Sequence, residues 1–450
     1  MRLQTLLYLL PVVLFSPVIT AQALQNDPEI NKMVGEIKAT SLENTVVKLV
    51  SFGTRHTLSD TKSKTRGIGA AQAWVKSEFD KYALESNGRL TSKIDYFTIK
   101  ADGRRIAVDS QLGNVMATLK GTDPTDDRIF IISGHLDSRV TDVMNTTADA
   151  PGANDDGSGV AAMMELAKIM SKRSYPCTII FVAVTGEEQG LYGARHLAEM
   201  AKAEKWNIVA MLNNDMIGNS LSSGTRLSNN TKVRVFSETI PYLETEEEAR
   251  MRKSINSDND SPSRQLARYI KTATEQYVPQ LEVELVYRND RFLRGGDHTP
   301  FSQNGFTAIR MCEMNENYDH QHQDLRTEKG VKYGDLPEFM DFDYLRKTTA
   351  ANLASLTNLA LAPKSPKNVG VEVKDLTNFS TLVWEAPEGK APFGYQILIR
   401  STADSQWQKT IFVKETKAEI AYSKDNFFFA VQAVDELGHP SLAVFPKPIR

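Results

Sequence analysis

The order of hydrophobic runs along the chain predicts a sheet whose strands alternate with helices. Continuous apolar runs at 128–133, 177–184 and 208–213 are typical of strands that are buried on both faces of a sheet. Amphipathic segments at 158–170 and 190–202 lie between these runs and predict helices. Because strand and helix alternate, we expect an α/β fold with a mostly parallel, mixed sheet and helices on both of its faces.

Similar patterns extend this core towards both ends of the chain. The segment 219–260 is polar and rich in Ser, Asn and Glu, so we interpret it as an excursion over the surface. The remaining predicted elements are helices at 29–50, 67–82, 261–276 and 343–361, and strands at 94–99, 114–119, 281–287 and 306–312.

The pattern changes its period after a short, proline-containing linker at 363–366. Beyond it, turn residues separate short apolar runs, which predicts a β-sandwich, and this part of the chain resembles a fibronectin type III module. It carries no pattern of catalytic side chains, so we interpret it as an accessory module that contacts a surface, a polymer or the rest of the chain. Its strands are expected at 369–373, 380–384, 394–400, 408–413, 418–421, 427–434 and 442–445.

The N-terminal segment has the pattern of a secretory signal peptide. Arg2 precedes an apolar run at 6–15, and the segment 21–23 (AQA) supplies a small-residue cleavage site. A membrane anchor fits less well, because the run is short and is broken by Pro11 and Pro17. We therefore predict export to the periplasm or the extracellular space. The predicted division is a signal peptide at 1–23, a catalytic domain at 24–362 and the β-sandwich at 363–450.

Charge and cysteine content exclude several classes of function. The chain has 450 residues, with 53 Lys+Arg against 56 Asp+Glu, a balance that offers no electrostatic surface for nucleic acid. No other stretch reaches the roughly 18 apolar residues of a membrane span. Two cysteines exclude a Cys-rich metal site, so any metal must be held by His and carboxylates. We interpret Cys177 and Cys312 as buried, unpaired residues, with a disulfide between their strands as the alternative.

Five loops carry a histidine or an acid close to a predicted buried element. The carboxyl ends of parallel strands meet at one edge of a sheet, so these side chains are expected to converge. Several buried acids in one crevice repel each other unless a cation joins them, and mixed imidazole and carboxylate donors suit zinc. The loops contain the segments 134–138 (GHLDS), 151–159 (PGANDDGSG), 185–190 (TGEEQG), 213–216 (NNDM) and 318–324 (YDHQHQD).

The number of candidate ligands indicates two metal ions rather than one. A single open zinc site needs three protein ligands, whereas two ions that share one bridging carboxylate use five. Such a pair of ions polarises a carbonyl group and activates a water molecule. Glu187 and Glu188 are expected to point in opposite directions on an extended backbone, so that Glu188 binds metal and Glu187 acts as a general base.

These motifs together resemble the co-catalytic zinc exopeptidases, a family that includes bacterial leucyl-type aminopeptidases, glutamate carboxypeptidase-like enzymes and, more distantly, glutaminyl cyclases. The match covers about 51–361, with gaps in the polar segment. The resemblance implies two Zn²⁺ ions per chain and a peptide substrate. It also implies these roles: His135 and Asp215 bind one ion, Glu188 and His320 bind the other, Asp155 bridges them, and Glu187 is the general base.

The resemblance further implies two acids that support the ligands. Asp137 would accept a hydrogen bond from the ring nitrogen of His135 that does not bind metal, and so fix the tautomer of His135. Asp324 lies four residues after His320, and this spacing favours His320 over His322 as the last ligand. We interpret Asp156, next to the bridging acid, as a residue that stabilises the loop.

The sequence therefore predicts an exported zinc-dependent aminopeptidase, and three alternatives stay open. A carboxypeptidase would need a cation for the terminal carboxylate of its substrate, for which Arg294 and Arg310 are candidates. A glutaminyl cyclase would use one zinc ion without hydrolysis. A non-catalytic binding protein is the least consistent, because neither a ligand nor the base is missing from the set.

Overall fold

A computed structural model of the protein describes residues 26–450. The predicted signal peptide at 1–23 lies outside the described residues. Within them, no helix is long and apolar enough to cross a membrane. The described residues contain the helices α1 Pro28–Glu36, α2 Ala39–Val50, α3 Gly67–Leu84, α4 Gly157–Met170, α5 Glu187–Gly190, α6 Tyr192–Ala203, α7 Glu246–Ile255, α8 Pro262–Tyr277, α9 His298–Gln303 and α10 Phe342–Leu361.

One sheet of eight strands organises the larger part of the fold, in the order β1-β2-β4-β3-β5-β8-β6-β7. The four central strands β4, β3, β5 and β8 run parallel, whereas β1 and β2 form an antiparallel edge. The strands are β1 Leu90–Ile99, β2 Ser110–Leu119, β3 Arg128–His135, β4 Thr178–Val184, β5 Asn207–Asn214, β6 Lys232–Ser237, β7 Glu282–Val286 and β8 Ala308–Glu313.

Helices cover both faces of this sheet, because successive side chains of each buried strand point to opposite sides. Phe130 and Ile132 of β3 belong to the core that contains α4 and α10. Ile131, between them, belongs to a second core, where Leu197 of α6 and Phe301 of α9 pack. The predicted α/β architecture with helices on both faces is confirmed.

The polar segment 219–260 differs in part from the prediction. It contains β6, which pairs in parallel with β7 and antiparallel with β8 and is therefore part of the sheet. Val233 and Val235 are fully buried while Lys232 and Arg234 alternate with them. Its three apolar residues, Val233, Val235 and Phe236, stand in a polar segment and give too weak a periodic signal to predict a strand.

The first predicted helix is likewise two helices. α1 ends before Ile37, whose backbone is extended, and α2 begins at Ala39. The apolar stripe continues through the break, with Ile30 and Met33 of α1 and Leu42 of α2 in one core. Hydrophobic periodicity therefore predicts the buried face here but not the interruption.

Two further sheets follow α10, and their inward side chains form a separate core around Leu382, Trp384, Ile397 and Val431. One sheet has the order β15-β12-β11-β17 and the other β14-β13-β16. Their strands are β11 Lys367–Glu372, β12 Ser380–Glu385, β13 Gly394–Ser401, β14 Lys409–Val413, β15 Lys417–Ile420, β16 Phe427–Val434 and β17 Lys447–Ile449. A two-stranded ribbon, β9 Arg326–Glu328 and β10 Val331–Tyr333, lies between β8 and α10.

The C-terminal sheets are joined to the α/β part by a buried ionic contact. Asp260, at the start of α8, lies 2.6 Å from Arg400 of β13 and 3.3 Å from Arg268 of α8. These three side chains are at most 4% exposed. Cys177 and Cys312 are buried and unpaired, as the sequence analysis favoured.

Candidate metal centre

The parallel strands bring the predicted chemistry to one edge of the sheet. His135 ends β3, Asp215 follows β5 directly, and Glu187 and Glu188 follow β4 after two residues. Asp155 lies just before α4, the helix that follows β3. Residues up to 80 positions apart thus meet, because every one of these strands ends at the same edge.

The donor atoms form two groups, within each of which they lie no more than 4.8 Å apart. The first donor group is His135, Glu187 and Asp215, and the second is Asp155, Glu188 and His322. Asp155 faces both groups. Its Oδ1 atom lies 3.0 Å from His135 Nε2, and its Oδ2 atom lies 2.9 Å from His322 Nε2. The position predicted for the bridging carboxylate therefore has one oxygen directed to each group.

The last histidine of the site is His322, not the predicted His320. His322 Nε2 lies 2.9 Å from Glu188 Oε1 as well as from Asp155, and its backbone adopts a positive φ of 58°. His320 instead stacks on Phe339, with the ring centroids 3.8 Å apart. The prediction relied on sequence spacing, but the loop turns between the two histidines and directs only the second one to the carboxylates.

The acid paired with that spacing does not belong to the site either. Asp324 is exposed, and its side chain makes no hydrogen bond or ion pair within residues 26–450. The contact behind His322 is made by Arg139, whose Nη2 lies 2.6 Å from His322 Nδ1. The same guanidinium donates from Nε to Glu188 Oε2 at 3.0 Å. A cation thus takes the place in which an acid was expected.

Glu187 and Glu188 diverge as predicted, but for a different reason. They lie on the first turn of the short helix α5 rather than on an extended backbone, so neighbouring side chains are separated by the rotation of a helix. Glu187 joins the first donor group and Glu188 the second. Burial raises the pKa of Glu187 well above its ordinary value; the charge of His135 opposes this rise, while that of Asp215 adds to it.

Asp137 connects the loop after β3 to α5. Its two carboxylate oxygens accept hydrogen bonds from the backbone N–H groups of Gly186, Glu187 and Glu188, at 3.0, 3.3 and 3.2 Å. His135 Nδ1 contacts the backbone carbonyl of Asp137 at 3.0 Å, whereas the carboxylate lies 3.7 Å away. Asp137 therefore supports His135 as expected, but through its carbonyl, while its carboxylate positions the two glutamates.

Asp215 is held from behind by Arg310, a fully buried residue of β8. Arg310 Nη2 lies 3.0 Å from Asp215 Oδ1, and its Nη1 lies 3.0 Å from Asp290. Burial opposes the charge of Asp215, but Arg310 outweighs it and lowers the pKa of this carboxyl. Because Arg310 is occupied by two carboxylates, it is not free to bind the terminal carboxylate of a substrate.

The loop that carries Asp155 is fixed by buried acids on either side. Asp156 accepts hydrogen bonds from the backbone of His135 and Gly159, both at 2.9 Å, so it stabilises the loop as predicted. Asp335 accepts from the backbone N–H of Asp155 at 2.7 Å. Neither interaction involves a candidate metal-binding oxygen, which leaves the carboxylate of Asp155 directed into the site.

Comparisons with known proteins identify the family. The model for "Peptidase family M28" matches residues 114–336. A probable zinc metalloprotease of Leptosphaeria maculans is 45% identical over 423 residues, which covers 94% of this chain and 97% of the relative. The chain belongs to peptidase family M28.

Another curated relative and two solved structures are also similar to the chain. A probable zinc metalloprotease of Pyricularia oryzae is 43% identical over 429 residues, covering 94% of this chain and 85% of the relative. Among solved structures, the LapA aminopeptidase of Legionella pneumophila has a TM-score of 0.52 at 19% identity, covering 75% of this chain and 76% of that one. LapB of the same organism has a TM-score of 0.53 at 16% identity and the same coverage. At these identities the structures show a shared fold.

Each of the two donor groups has side chains that could hold a divalent cation. Glu188 Oε1 is buried and has no hydrogen-bond donor among the described residues, although it lies 2.9 Å from His322 Nε2. The imidazole nitrogen does not donate to this oxygen, and both atoms are directed to a common point. Each donor group combines one imidazole with carboxylates, a set that suits zinc. The carboxylate oxygens within each group lie no more than 4.8 Å apart and repel each other, and a cation between them would offset this repulsion.

Three residues that hold these donors were not assigned this role from the sequence. Arg139 and Asp335 were not singled out, and Arg310 was considered only as a substrate contact. No local signal marks them, because each acts on a residue at least 49 positions away. A buried arginine in a strand such as β8 is the one available hint, since a buried charge needs a partner.

Proposed function

We propose that the chain is an exported, zinc-dependent exopeptidase that acts as an aminopeptidase. The observation that carries this proposal is the pair of donor groups that share Asp155, with Glu187 beside them. The relatives named as probable zinc metalloproteases support the metal and the reaction class. Specificity for the N-terminus follows from the resemblance to leucyl-type aminopeptidases, and export follows from the pattern of the N-terminal segment.

The donor residues would bind two zinc ions in the active enzyme. His135 and Asp215 would hold one zinc ion, Glu188 and His322 the other, and Asp155 both. The ions, when bound, would act as Lewis acids on the scissile carbonyl and lower the pKa of water. Arg310 and Asp137 would keep the ligands in place, so that little reorganisation is needed during the reaction.

Glu187 would act as the general base. Its carboxylate lies beside His135 and Asp215 and lines the open cleft, where a water molecule and a peptide carbonyl can reach it. It would take a proton from the attacking water and pass it to the leaving amine, so that the peptide bond breaks and a carboxylate and an amine form. The backbone N–H of Glu187 donates to the carboxylate of Asp137, and this hydrogen bond fixes the backbone position of Glu187.

The experiment replaces Glu187 with glutamine and measures bound zinc and the turnover of an aminoacyl anilide in the same preparation. We expect zinc content to stay near that of the natural protein and turnover to fall at least 100-fold, as for loss of a general base. Glu199→Gln is the matched control, because Glu199 is exposed on α6 and outside the site. Full turnover of Glu187→Gln with intact zinc would refute the assignment.

The alternatives differ in what they require of the substrate. A peptide panel with free and blocked termini separates them: an aminopeptidase loses its substrates when the N-terminus is acetylated, and a carboxypeptidase when the C-terminus is amidated. Cyclisation of an N-terminal glutamine without hydrolysis would instead indicate a glutaminyl cyclase. The complete set of two donor groups favours hydrolysis over that single-ion reaction.

A further inference from the structure

The cleft above the two donor groups is unusually rich in arginine. Its volume is about 290 Å³, and four arginines line it together with the donor residues. We call these four residues the arginine rim; they are Arg105, Arg139, Arg291 and Arg294. They come from three separate loops of the fold, so their clustering is a tertiary feature.

Two members of the arginine rim have carboxylate partners within the protein. Arg139 lies 3.0 Å from Glu188, and Arg291 lies 2.9 Å from Glu316. Both are largely buried, with side chains 17% and 12% exposed. The charges of Arg139 and Arg291 are therefore compensated by ion pairs within the protein, which stabilise the walls of the cleft.

The other two members have no such partner. Over residues 26–450, no carboxylate lies within ion-pair distance of Arg105 or Arg294, and both residues are exposed. The side chain of Arg105 donates one hydrogen bond, from Nη1 to the backbone carbonyl of Glu188. This bond places the Arg105 guanidinium at the entrance of the site while leaving its charge uncompensated.

The acids of the cleft are all committed to the donor groups. Asp155, Glu187, Glu188 and Asp215 are the carboxylates among its described lining residues. No further acid is available there to bind a cationic side chain of the substrate. If these four carboxylates held two divalent ions, Arg105 and Arg294 would leave a positive charge at the entrance of the cleft. Such a field favours anionic over cationic side chains in the substrate.

We propose that Arg105 and Arg294 bind a carboxylate of the substrate, and that the enzyme prefers acidic peptides. This inference rests on the proposed peptidase function and specifies its substrate class. The carboxylate has two possible sources, the side chain of an N-terminal Asp or Glu and the C-terminus of a short peptide. Both present the same planar group, which a guanidinium binds with two parallel hydrogen bonds.

The test compares kcat/KM for matched substrates that differ only in the carboxylate. Glutamyl anilide against leucyl anilide tests the side-chain source, and the dipeptide Ala-Ala against Ala-Ala-amide tests the C-terminal source. We expect at least one acidic substrate to be favoured roughly tenfold, and the preference to shrink as salt is raised. Equal kcat/KM within both pairs would overturn the proposal.

Variants assign the preference to the residues. Arg294→Gln and Arg105→Gln are each expected to reduce the ratio of kcat/KM between acidic and neutral substrates severalfold, and the double variant is expected to abolish the preference. Arg288→Gln and Arg104→Gln are the controls, because both residues are exposed neighbours in the same loops and neither lines the cleft. An unchanged preference in the double variant, or an equal loss in the controls, would contradict the assignment.

A binding measurement separates this inference from the peptidase assignment. Glu187→Gln protein is titrated calorimetrically with glutamyl-alanine and leucyl-alanine, with and without Arg294→Gln added. Tighter binding of the acidic dipeptide that depends on Arg294 supports the proposal even if no peptide is hydrolysed. Hydrolysis without any difference in binding or kcat/KM would leave the peptidase assignment standing and refute the acidic preference.

Discussion

Replacing His322 with alanine removes one of the three donors of the second group. His322 Nε2 lies 2.9 Å from both Asp155 and Glu188, so the variant leaves two carboxylates to hold an ion alone. Changes to residues that merely orient a ligand weaken metal binding 10–100-fold, so we expect loss of the ligand itself to exceed about 100-fold. That factor corresponds to roughly 2.8 kcal/mol.

His320→Ala provides the contrast, because the two histidines differ by two positions and were both candidates. His320 stacks on Phe339 at 3.8 Å and belongs to neither donor group. An aromatic pair contributes about 0.5–1.5 kcal/mol beyond the area it buries. We therefore expect His320→Ala to lower the free energy of unfolding by about that amount, with unchanged zinc content.

The assay is zinc content by mass spectrometry after dialysis against graded concentrations of a chelator, with thermal unfolding measured on the same samples. His322→Ala should retain one zinc ion where the natural protein retains two, and turnover should fall with the lost ion. His320→Phe, which keeps a stacking ring, should restore the stability lost in His320→Ala. Loss of zinc from His320→Ala with full retention by His322→Ala would refute the assignment of the second donor group.

Three further changes test the parts of the structure that support the site. Asp260→Ala leaves the buried Arg400 without its partner and should destabilise the protein by about 3–5 kcal/mol in urea unfolding, whereas a loss below about 1 kcal/mol would contradict the buried contact. His439→Gln tests a pH dependence: burial lowers the pKa of His439, but Asp435 outweighs it and raises the pKa above 6.5. The stability difference between the two proteins should therefore be full below about pH 6.5 and shrink as pH rises through the raised pKa, and a difference that grows with pH would refute the pairing. Asp137→Asn should reduce turnover 10–100-fold in a steady-state assay without unfolding the protein, because the backbone N–H groups of α5 lose a charged acceptor, and unchanged turnover would refute this role.

Much of the donor set could be predicted because it follows from local pattern. Apolar runs such as that of β4 identify strands, and in a parallel sheet the residues after each strand share one edge. Strand order predicts that the loops carrying His135, Asp155, Glu188 and Asp215 meet at one edge, and the structure brings these four residues together. Six of the C-terminal strands could be predicted in the same way, from their alternation of apolar residues, whereas the seventh was expected at 442–445 and lies at Lys447–Ile449.

The errors have a common physical origin in contacts between distant residues. The choice between His320 and His322 depends on the backbone conformation of a loop, which sequence spacing does not specify. β6 is a strand because β7 and β8 pair with its backbone, although its own side chains give a weak signal. The backbone position of Asp155 depends on a hydrogen bond to Asp335, which lies 180 positions away in the chain.

The sequence by itself determined the α/β architecture and the kinds of donor atom at its edge, because hydrophobic periodicity and strand order are local properties of the chain. Only the tertiary structure decided which histidine completes the second donor group, which guanidiniums hold the ligands and which remain free in the cleft. Those outcomes depend on distances between side chains that lie far apart in the chain, and such distances exist only after the core has packed.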